Sequence, residues 1–344
     1  MNRIPDFNNL LQILRKGKPS RPTLFEFFLN QELYEILADE KAKAEAGDLR
    51  KYKVIISAFR NAGYDYATIP ASYNRLLMYS KGEVEQKSSK SLNEGFVITD
   101  EESFGNYKWP DPEAGDYEIF ERIEPLFPDG MKAIPSGPGG LLENATELVG
   151  YENLCFMTLE NPDLVASIFD ALGTGLLRFY ERVSSYPVVG AAIYNDDWGF
   201  KTQTMLPPEM LRQWVFPWCK RIVDAIHSNG KMAILHSCGN LSEVMDDVIY
   251  SMKFDGKHSF EDIISPVETE WEKYHERIAI LGGIDLDFLA GSSPEQVQNR
   301  ALNLLKLTSG EGSYALGSGN SIPGYIPKEN YLAMIGAIKM QVKG

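Results

Sequence analysis

A histidine and a cysteine, His236 and Cys238, end the apolar segment MAIL and are separated by a single residue. Side chains two positions apart on an extended strand lie on the same face, so this imidazole and this thiol can reach one ion. Nitrogen and sulfur ligands of this kind suit Zn²⁺. Glu261, at the end of the next predicted strand, can supply an oxygen ligand. The alternative is a buried histidine that is satisfied by a backbone carbonyl and lies beside an inert thiol.

Carboxylates follow two other apolar segments. Asp196 and Asp197 come after VVGAAIY, and Asp285 comes after IAILGGI. Carboxylates in these positions suit acid–base chemistry or hydrogen bonds to a polar substrate, and we predict that all three are catalytic. For the adjacent pair, the alternative is a cap on the segment that follows. Other polar or aromatic residues at strand ends are predicted to bind the substrate: Asn195, Trp198, His258, Ser318 and Asn320.

Short apolar segments alternate with longer helical patterns along the chain. We predict eight strands at 23–28, 64–70, 131–135, 188–194, 232–236, 254–260, 278–284 and 314–317. Strands that alternate with helices are typical of a parallel sheet, and eight such units predict a (β/α)8 TIM barrel. Active sites of these barrels lie at the carboxyl ends of the strands. Five consecutive predicted strands end in the polar residues named above, which predicts a site at the carboxyl end of the barrel.

The N-terminal part departs from this regular alternation. A helical extension is predicted there, and residues 71–130 are polar, acidic and rich in proline. A structureless loop of that length would be unusual in a compact domain. We therefore predict an insertion with small elements of its own that lies over one end of a single barrel domain, residues 1–344.

Composition excludes several classes of function. The chain of 344 residues has 34 basic and 48 acidic side chains, a net charge of −14. Phosphate-rich partners need a basic face, so nucleic acid and anionic membranes are not expected as partners. Three cysteines are too few for a disulfide framework, and no apolar run suggests a signal peptide or a membrane span. We expect a cytoplasmic protein that acts on a small molecule.

Several segments carry a family resemblance. They are NDDWGFKTQTMLPPEMLRQWVFPWCKRIVDAIHSNGKMAILHSCGN, LLENATELVGYENL, GGID and IPKENYLAMIGAI. Over residues 130–344 the sequence resembles the uroporphyrinogen decarboxylase superfamily. The resemblance implies a (β/α)8 barrel. It also implies one of two activities, because the superfamily contains porphyrinogen decarboxylases and corrinoid-linked or thiol methyltransferases.

Two positions distinguish these branches. The decarboxylases carry an Arg-Gln-Ala-Gly-Arg type of segment near the N-terminus, whereas the matching region here is SRPTLFEFFLNQELYEIL, with only Arg21. The methyltransferase branch is similar at His236 and Cys238, where zinc binds and activates a thiol. Its members carry a further cysteine ligand after the last strand, where this chain has Asn320. More distant methionine synthases use a glutamate that Glu261 matches within one residue.

The resemblance thus implies a zinc-dependent methyltransferase, with the methyl group delivered by a separate corrinoid protein. Two alternatives remain open. One is a decarboxylase of a porphyrinogen or another polar acid, in which Asp196 or Asp197 stabilises a protonated ring. The other is a metal-free binding protein or an accessory protein of a corrinoid system.

Overall fold

Seven strands form one parallel sheet, and their spatial order is their order along the chain. The computed structural model describes residues 3–71, 76–82 and 91–340. The strands are β1 (Tyr66–Pro70), β2 (Lys132–Ser136), β3 (Ala191–Asn195), β4 (Met232–His236), β5 (Gly256–His258), β6 (Ala279–Leu281) and β7 (Tyr314–Ala315). Most of their side chains are buried, as expected for a parallel sheet covered by helices. The fold is α/β and resembles a TIM barrel.

Helices precede, separate and follow the strands. Within the described residues they are α1 (Asn8–Leu14), α2 (Gln31–Leu37), α3 (Glu40–Ala44), α4 (Arg50–Ala62), α5 (Glu101–Asn106), α6 (Ile119–Ile123), α7 (Leu141–Val149), α8 (Tyr151–Glu160), α9 (Pro162–Ser184), α10 (Pro208–Met210), α11 (Phe216–Ser228), α12 (Val267–Tyr274), α13 (Leu286–Gly291), α14 (Pro294–Thr308) and α15 (Lys328–Met340). Two π-helical turns lie at Leu211–Val215 and Asp247–Ser251.

The two longest helices in the described part of the chain begin as their sequences predict. Asn161 caps α9 by accepting a hydrogen bond from the Leu164 N–H, and Pro162 occupies the first helical position. Ser293 caps α14 in a reciprocal capping box with Gln296. Both helices therefore begin at residues whose side chains satisfy the free N–H groups of the first turn. None of the described helices is long and apolar enough to cross a membrane.

The first predicted strand, residues 23–28, is reduced to one parallel bridge between Leu24 and Leu316. On its other side, the Tyr66 hydroxyl donates to the Glu26 carbonyl at 2.7 Å and accepts from the Glu26 N–H at 2.6 Å. A side chain thus takes the place of ladder hydrogen bonds between this segment and β1. We call this contact the seam. It explains why the segment lies beside the sheet without forming a regular strand.

Residues 71–130 contain the short helices α5 and α6, and residues 72–75 and 83–90 of this stretch lie outside the described part of the chain. The Val97 and Ile98 N–H groups both donate to the Leu148 carbonyl at the end of α7. The Tyr79 hydroxyl donates to the Leu172 carbonyl of α9. The stretch therefore packs on the helices that follow β2, and its role as a cover over one end of the barrel stays a prediction.

Candidate metal centre

Three polar residues lie side by side at the ends of neighbouring strands. Asn195, His236 and His258 are the last residues of β3, β4 and β5, and they pair with one another in register. In a parallel sheet, residues in register point to the same face, so their side chains meet at the carboxyl end of the sheet. This is the end at which the sequence predicts the site.

A group of possible metal ligands lies at this point. Single ligand atoms of Asp197, His236 and Cys238 all lie within 4.8 Å of one another. The His236 Nε2 and Cys238 Sγ atoms are 3.9 Å apart. Tetrahedral zinc, with Zn–S near 2.3 Å and Zn–N near 2.0–2.1 Å, would hold such atoms about 3.6 Å apart. The residues therefore fit a zinc ion after a small adjustment, and three protein ligands leave the open position that is typical of catalytic zinc.

A chain of hydrogen bonds sets the tautomer of His236. His258 Nε2 lies 3.1 Å from the Ser318 carbonyl oxygen, which only accepts, so His258 Nε2 carries the hydrogen. Burial lowers the pKa of His258 to about 3, so the ring is neutral and its Nδ1 is an acceptor. His236 Nδ1, 2.8 Å away, must therefore donate. This leaves the lone pair of His236 Nε2 free on the side of Cys238, as a metal ligand requires.

Aromatic residues of the N-terminal segment cover the two imidazoles. The Phe27 ring centroid lies 4.3 Å from that of His236, and the Phe25 ring meets His258 edge-on at 5.1 Å. Burial among these rings lowers the pKa of His236 well below its ordinary value, with a further contribution from His258. Both imidazoles are therefore neutral at pH 7, the form in which histidine binds a metal.

Replacing His258 with phenylalanine is expected to weaken zinc binding by about 10–100-fold, the usual cost of losing the partner that orients a ligating histidine. The substitution keeps a ring in the buried space but removes the acceptor for His236 Nδ1. Competition with a chromophoric chelator measures the affinity, and nitrogen NMR reports the tautomer of His236. His227→Gln is the control, because His227 pairs with Asp255 elsewhere. Equal zinc affinity in His258→Phe and the parent protein would contradict the positioning role.

The Cys238 thiol is surrounded by weak donors. The Asn320 Nδ2 donates to Cys238 Sγ at 3.2 Å, and the Ser259 hydroxyl donates to it at 3.7 Å. The Asp197 Oδ1 accepts from the Cys238 N–H at 2.9 Å. Burial, with the nearby charge of Asp197, raises the pKa of this thiol to about 12. Without a metal the sulfur is therefore protonated at pH 7, and binding of a metal would release that proton.

Glu261 does not belong to the group of possible ligands. Asp197 is the third member of that group, beside His236 and Cys238. The Glu261 carbonyl accepts hydrogen bonds from the Ile264 and Ser265 N–H groups, which places it in a tight turn beyond β5. Its side chain lines a neighbouring cavity. Coordination of the metal by Glu261 therefore stays a prediction.

Asp196 holds the start of α7 against the end of β3. Its carboxylate is fully buried and accepts four hydrogen bonds: from the Leu142 and Glu143 N–H groups, the Tyr194 hydroxyl and the Trp198 indole. It thereby caps α7 from another part of the chain. Burial raises its pKa to about 6. This corresponds to the capping alternative, although the helix capped is α7 and not the segment that follows. Trp198 is also fully buried and packs on Phe216.

The other predicted residues occupy supporting positions. Asp285 caps α13 and accepts from the Asp262 N–H. Ser318 is buried, and its hydroxyl donates to Glu26 at 2.6 Å while its carbonyl accepts from His258. The Asn195 side chain donates to Glu143. His258, predicted to bind substrate, is fully buried and reaches the site only through His236. Their direct contact with a substrate stays a prediction.

Sequence reasoning missed Glu143. It lies in the first turn of α7 and lines a cavity of about 390 Å³, together with Asp197, Phe200 and Met205. Burial, reinforced by the charges of Asp196 and Asp197, raises the pKa of Glu143 to about 8. No local motif marks this residue. Glu26 was also missed, although a glutamate inside the apolar segment LFEFF was a visible signal.

Comparisons with known proteins concern the fold and the family of the chain. A methyltransferase from Methanosarcina mazei has a similar fold, with a TM-score of 0.73, 14% sequence identity, and coverage of 99% of this chain and 100% of that chain. A structure described as a putative vitamin-B12 independent methionine synthase from Listeria monocytogenes has a TM-score of 0.50, 11% identity and full coverage of both chains. No curated protein matches the sequence. The family model "Uroporphyrinogen decarboxylase (URO-D)" matches residues 53–341, and the chain therefore belongs to that family.

Proposed function

We propose that this protein is a methyltransferase that transfers a methyl group to a metal-bound thiol. The observation that carries the proposal is the group of Asp197, His236 and Cys238, which combines oxygen, nitrogen and sulfur ligands at the carboxyl end of the sheet. This ligand set favours zinc over magnesium or calcium, which prefer oxygen. The similar fold of a Methanosarcina mazei methyltransferase supports the same reading.

Each residue of the site has a distinct task. Asp197, His236 and Cys238 would hold the ion, and His258 keeps the lone pair of His236 Nε2 directed at it. Bound zinc lowers the pKa of a coordinated thiol, so that a nucleophilic thiolate is present at neutral pH. The Asn320 amide donates to the Cys238 sulfur and would stabilise its negative charge once a metal is bound. The cavity of about 390 Å³ beside Asp197 is of a size for a small-molecule substrate.

The methyl donor in this proposal is a corrinoid carried by a separate protein, in the cytoplasm. The family resemblance supports a corrinoid donor, and the three cysteines, all free, suit a reducing compartment. Glu143 and Phe200 line the same cavity as Asp197. In this proposal the thiol substrate and the methyl donor would meet in that cavity.

For the decarboxylase alternative, Arg21, the arginine of the matching segment, is not placed to bind a polycarboxylate. The Arg21 guanidinium donates to the buried Asp65 carboxylate at 2.6 Å and to the Ile4 carbonyl. It precedes the bridge of Leu24, so it lies at the opposite end of the sheet from His236. Asp196, the carboxylate nearest in sequence to the metal group, is enclosed by its four donors. Neither residue is placed to hold a porphyrinogen.

The decisive experiment begins with the metal content of the purified protein and the absorption spectrum of a cobalt-substituted sample. A thiolate–cobalt charge-transfer band, together with methyl transfer from methylcobalamin to a small thiol, supports the proposal. Formation of coproporphyrinogen from uroporphyrinogen would overturn it in favour of decarboxylation. A protein that binds neither zinc nor cobalt would be a metal-free binding protein.

Asn320→Cys is expected to tighten zinc binding by at least about tenfold, because it adds a thiolate where the amide now contacts Cys238. The parent protein should lose zinc to a moderate chelator more readily than this variant. Asn320→Ser is the control of similar size without a soft ligand. Equal zinc affinity in all three proteins would show that position 320 does not reach the ion.

A further inference from the structure

A second cavity, of about 250 Å³, adjoins the metal centre. It is separated from the Asp197 cavity by close contact between the backbones of Gly199 and Gly239, where an added Cβ on Gly239 would lie 2.1 Å from the Gly199 carbonyl carbon. Ser259 lines this cavity and also donates to Cys238 Sγ. The proposed methyl transfer assigns no role to this space.

The cavity contains a buried ammonium group. Lys257 is the central residue of β5, and only 4% of it is exposed. Its hydrogen bond among the described residues goes to the Ser259 carbonyl, and its Nζ lies 4.0 Å from the Phe260 ring centroid. An ammonium has three donors, so two are left for another acceptor. Buried charges are normally paired, and a lysine that lines a polar cavity without a close carboxylate is poised for an anionic ligand.

The two glutamates of the cavity do not fill this role. Burial lowers the pKa of Lys257 to about 8. The charges of Glu270 and Glu261 raise this pKa, but they offset only part of the effect of burial. Within the described part of the chain, neither carboxylate forms an ion pair with Lys257 at 4 Å or less. Glu270 also interacts with Lys273 at the rim, which offsets its charge.

We propose that this cavity binds an oxyanion group of a small molecule, with Lys257 as its counter-ion. The oxyanion is a carboxylate, sulfonate or phosphate, and Asn240 and Ser265 supply further donors from the cavity wall. Hydrogen bonds between an ammonium and an oxyanion are charge-assisted and about twice as strong as neutral ones, which suits anchoring of a small ligand. The site goes beyond the proposed methyl transfer and does not depend on a bound metal.

The test is calorimetric titration of the full-length protein, metal-free and zinc-loaded, with acetate, methanesulfonate and inorganic phosphate. We expect at least one probe to bind with 1:1 stoichiometry, and the strongest probe identifies the oxyanion. Lys257→Met should weaken that probe by at least about tenfold, the size expected for loss of a charged hydrogen bond. Lys257→Arg should keep most of the affinity, and the exposed Lys306→Met should bind like the parent protein. Failure of all three probes to saturate the parent protein would overturn the proposal.

A second measurement needs no substitution. An amine-reactive acylating reagent, with peptide mass spectrometry, reports the labelling rate of each lysine, and the bound probe should protect Lys257 but not Lys306. Equal labelling of Lys257 with and without the probe would also overturn the proposal. Because the metal-free protein is tested as well, a protein that binds an oxyanion but no zinc would retain this site while losing the proposed methyltransferase function.

Discussion

Replacing Cys238 with alanine is expected to abolish stoichiometric zinc binding. The loss of affinity should be well above the loss of about 10–100-fold that is expected when a residue that orients a metal ligand, such as His258, is removed. The variant keeps only two members of the ligand group, His236 and Asp197. Metal analysis after gel filtration, together with loss of the thiolate–cobalt charge-transfer band, measures the effect. Methyl transfer to a thiol should disappear with the metal.

Cys155→Ala is the matched control, because Cys155 is half-buried on α8 and lies outside the ligand group. It removes one thiol from the chain without touching the site. A Cys238→Ala protein that retained zinc at the stoichiometry of Cys155→Ala would show that Cys238 is a structural thiol.

Asp196→Ala is expected to lower the free energy of unfolding by about 3–5 kcal/mol, the range seen when a buried charged partner is removed from a satisfied network. Four donors would lose their acceptor, among them the Tyr194 hydroxyl, the Trp198 indole and two N–H groups at the start of α7. Urea unfolding followed by circular dichroism measures the change. Tryptophan fluorescence should report the altered surroundings of Trp198.

Asp197→Ala separates stability from metal binding within the same dipeptide. Asp197 accepts one hydrogen bond from the Cys238 N–H, so its loss should cost about 1 kcal/mol or less. Zinc affinity should nevertheless fall. If Asp196→Ala unfolded at the same urea concentration as Asp197→Ala, the structural assignment of Asp196 would be wrong.

The sequence was sufficient for the type of fold and for two members of the possible metal group, His236 and Cys238. Alternation of apolar and helical segments predicted a parallel sheet, because hydrophobic periodicity is a local property. The spacing of His236 and Cys238 placed both side chains on one face, and the family resemblance placed Asn320 at the position of a further ligand. The contact between the Asn320 amide and the Cys238 sulfur agrees with this placement.

Long-range contacts limited the prediction of roles. Asp196 and Asp197 are neighbours in sequence, yet one is enclosed by donors from α7 and the other joins the ligand group. The local sequence does not distinguish them, because two of the four donors to Asp196 are N–H groups of a helix that begins more than 50 residues earlier. The orientation of His236 likewise depends on the Ser318 carbonyl acting through His258.

The segment that carries the seam has a consequence for biosynthesis. Its Glu26 side chain also accepts a hydrogen bond from the Ser318 hydroxyl, and Ser318 follows 292 residues later in the chain. At about 5–20 residues per second, a ribosome needs roughly 15–60 s to make the intervening sequence. Until His236 and His258 have been synthesised, the phenylalanines that cover them have no imidazoles to pack against, and they are available to chaperones or to other nascent chains. The Ser318 carbonyl that fixes the tautomer of His258 is synthesised after all three members of the ligand group, so insertion of zinc should follow the synthesis of residue 318.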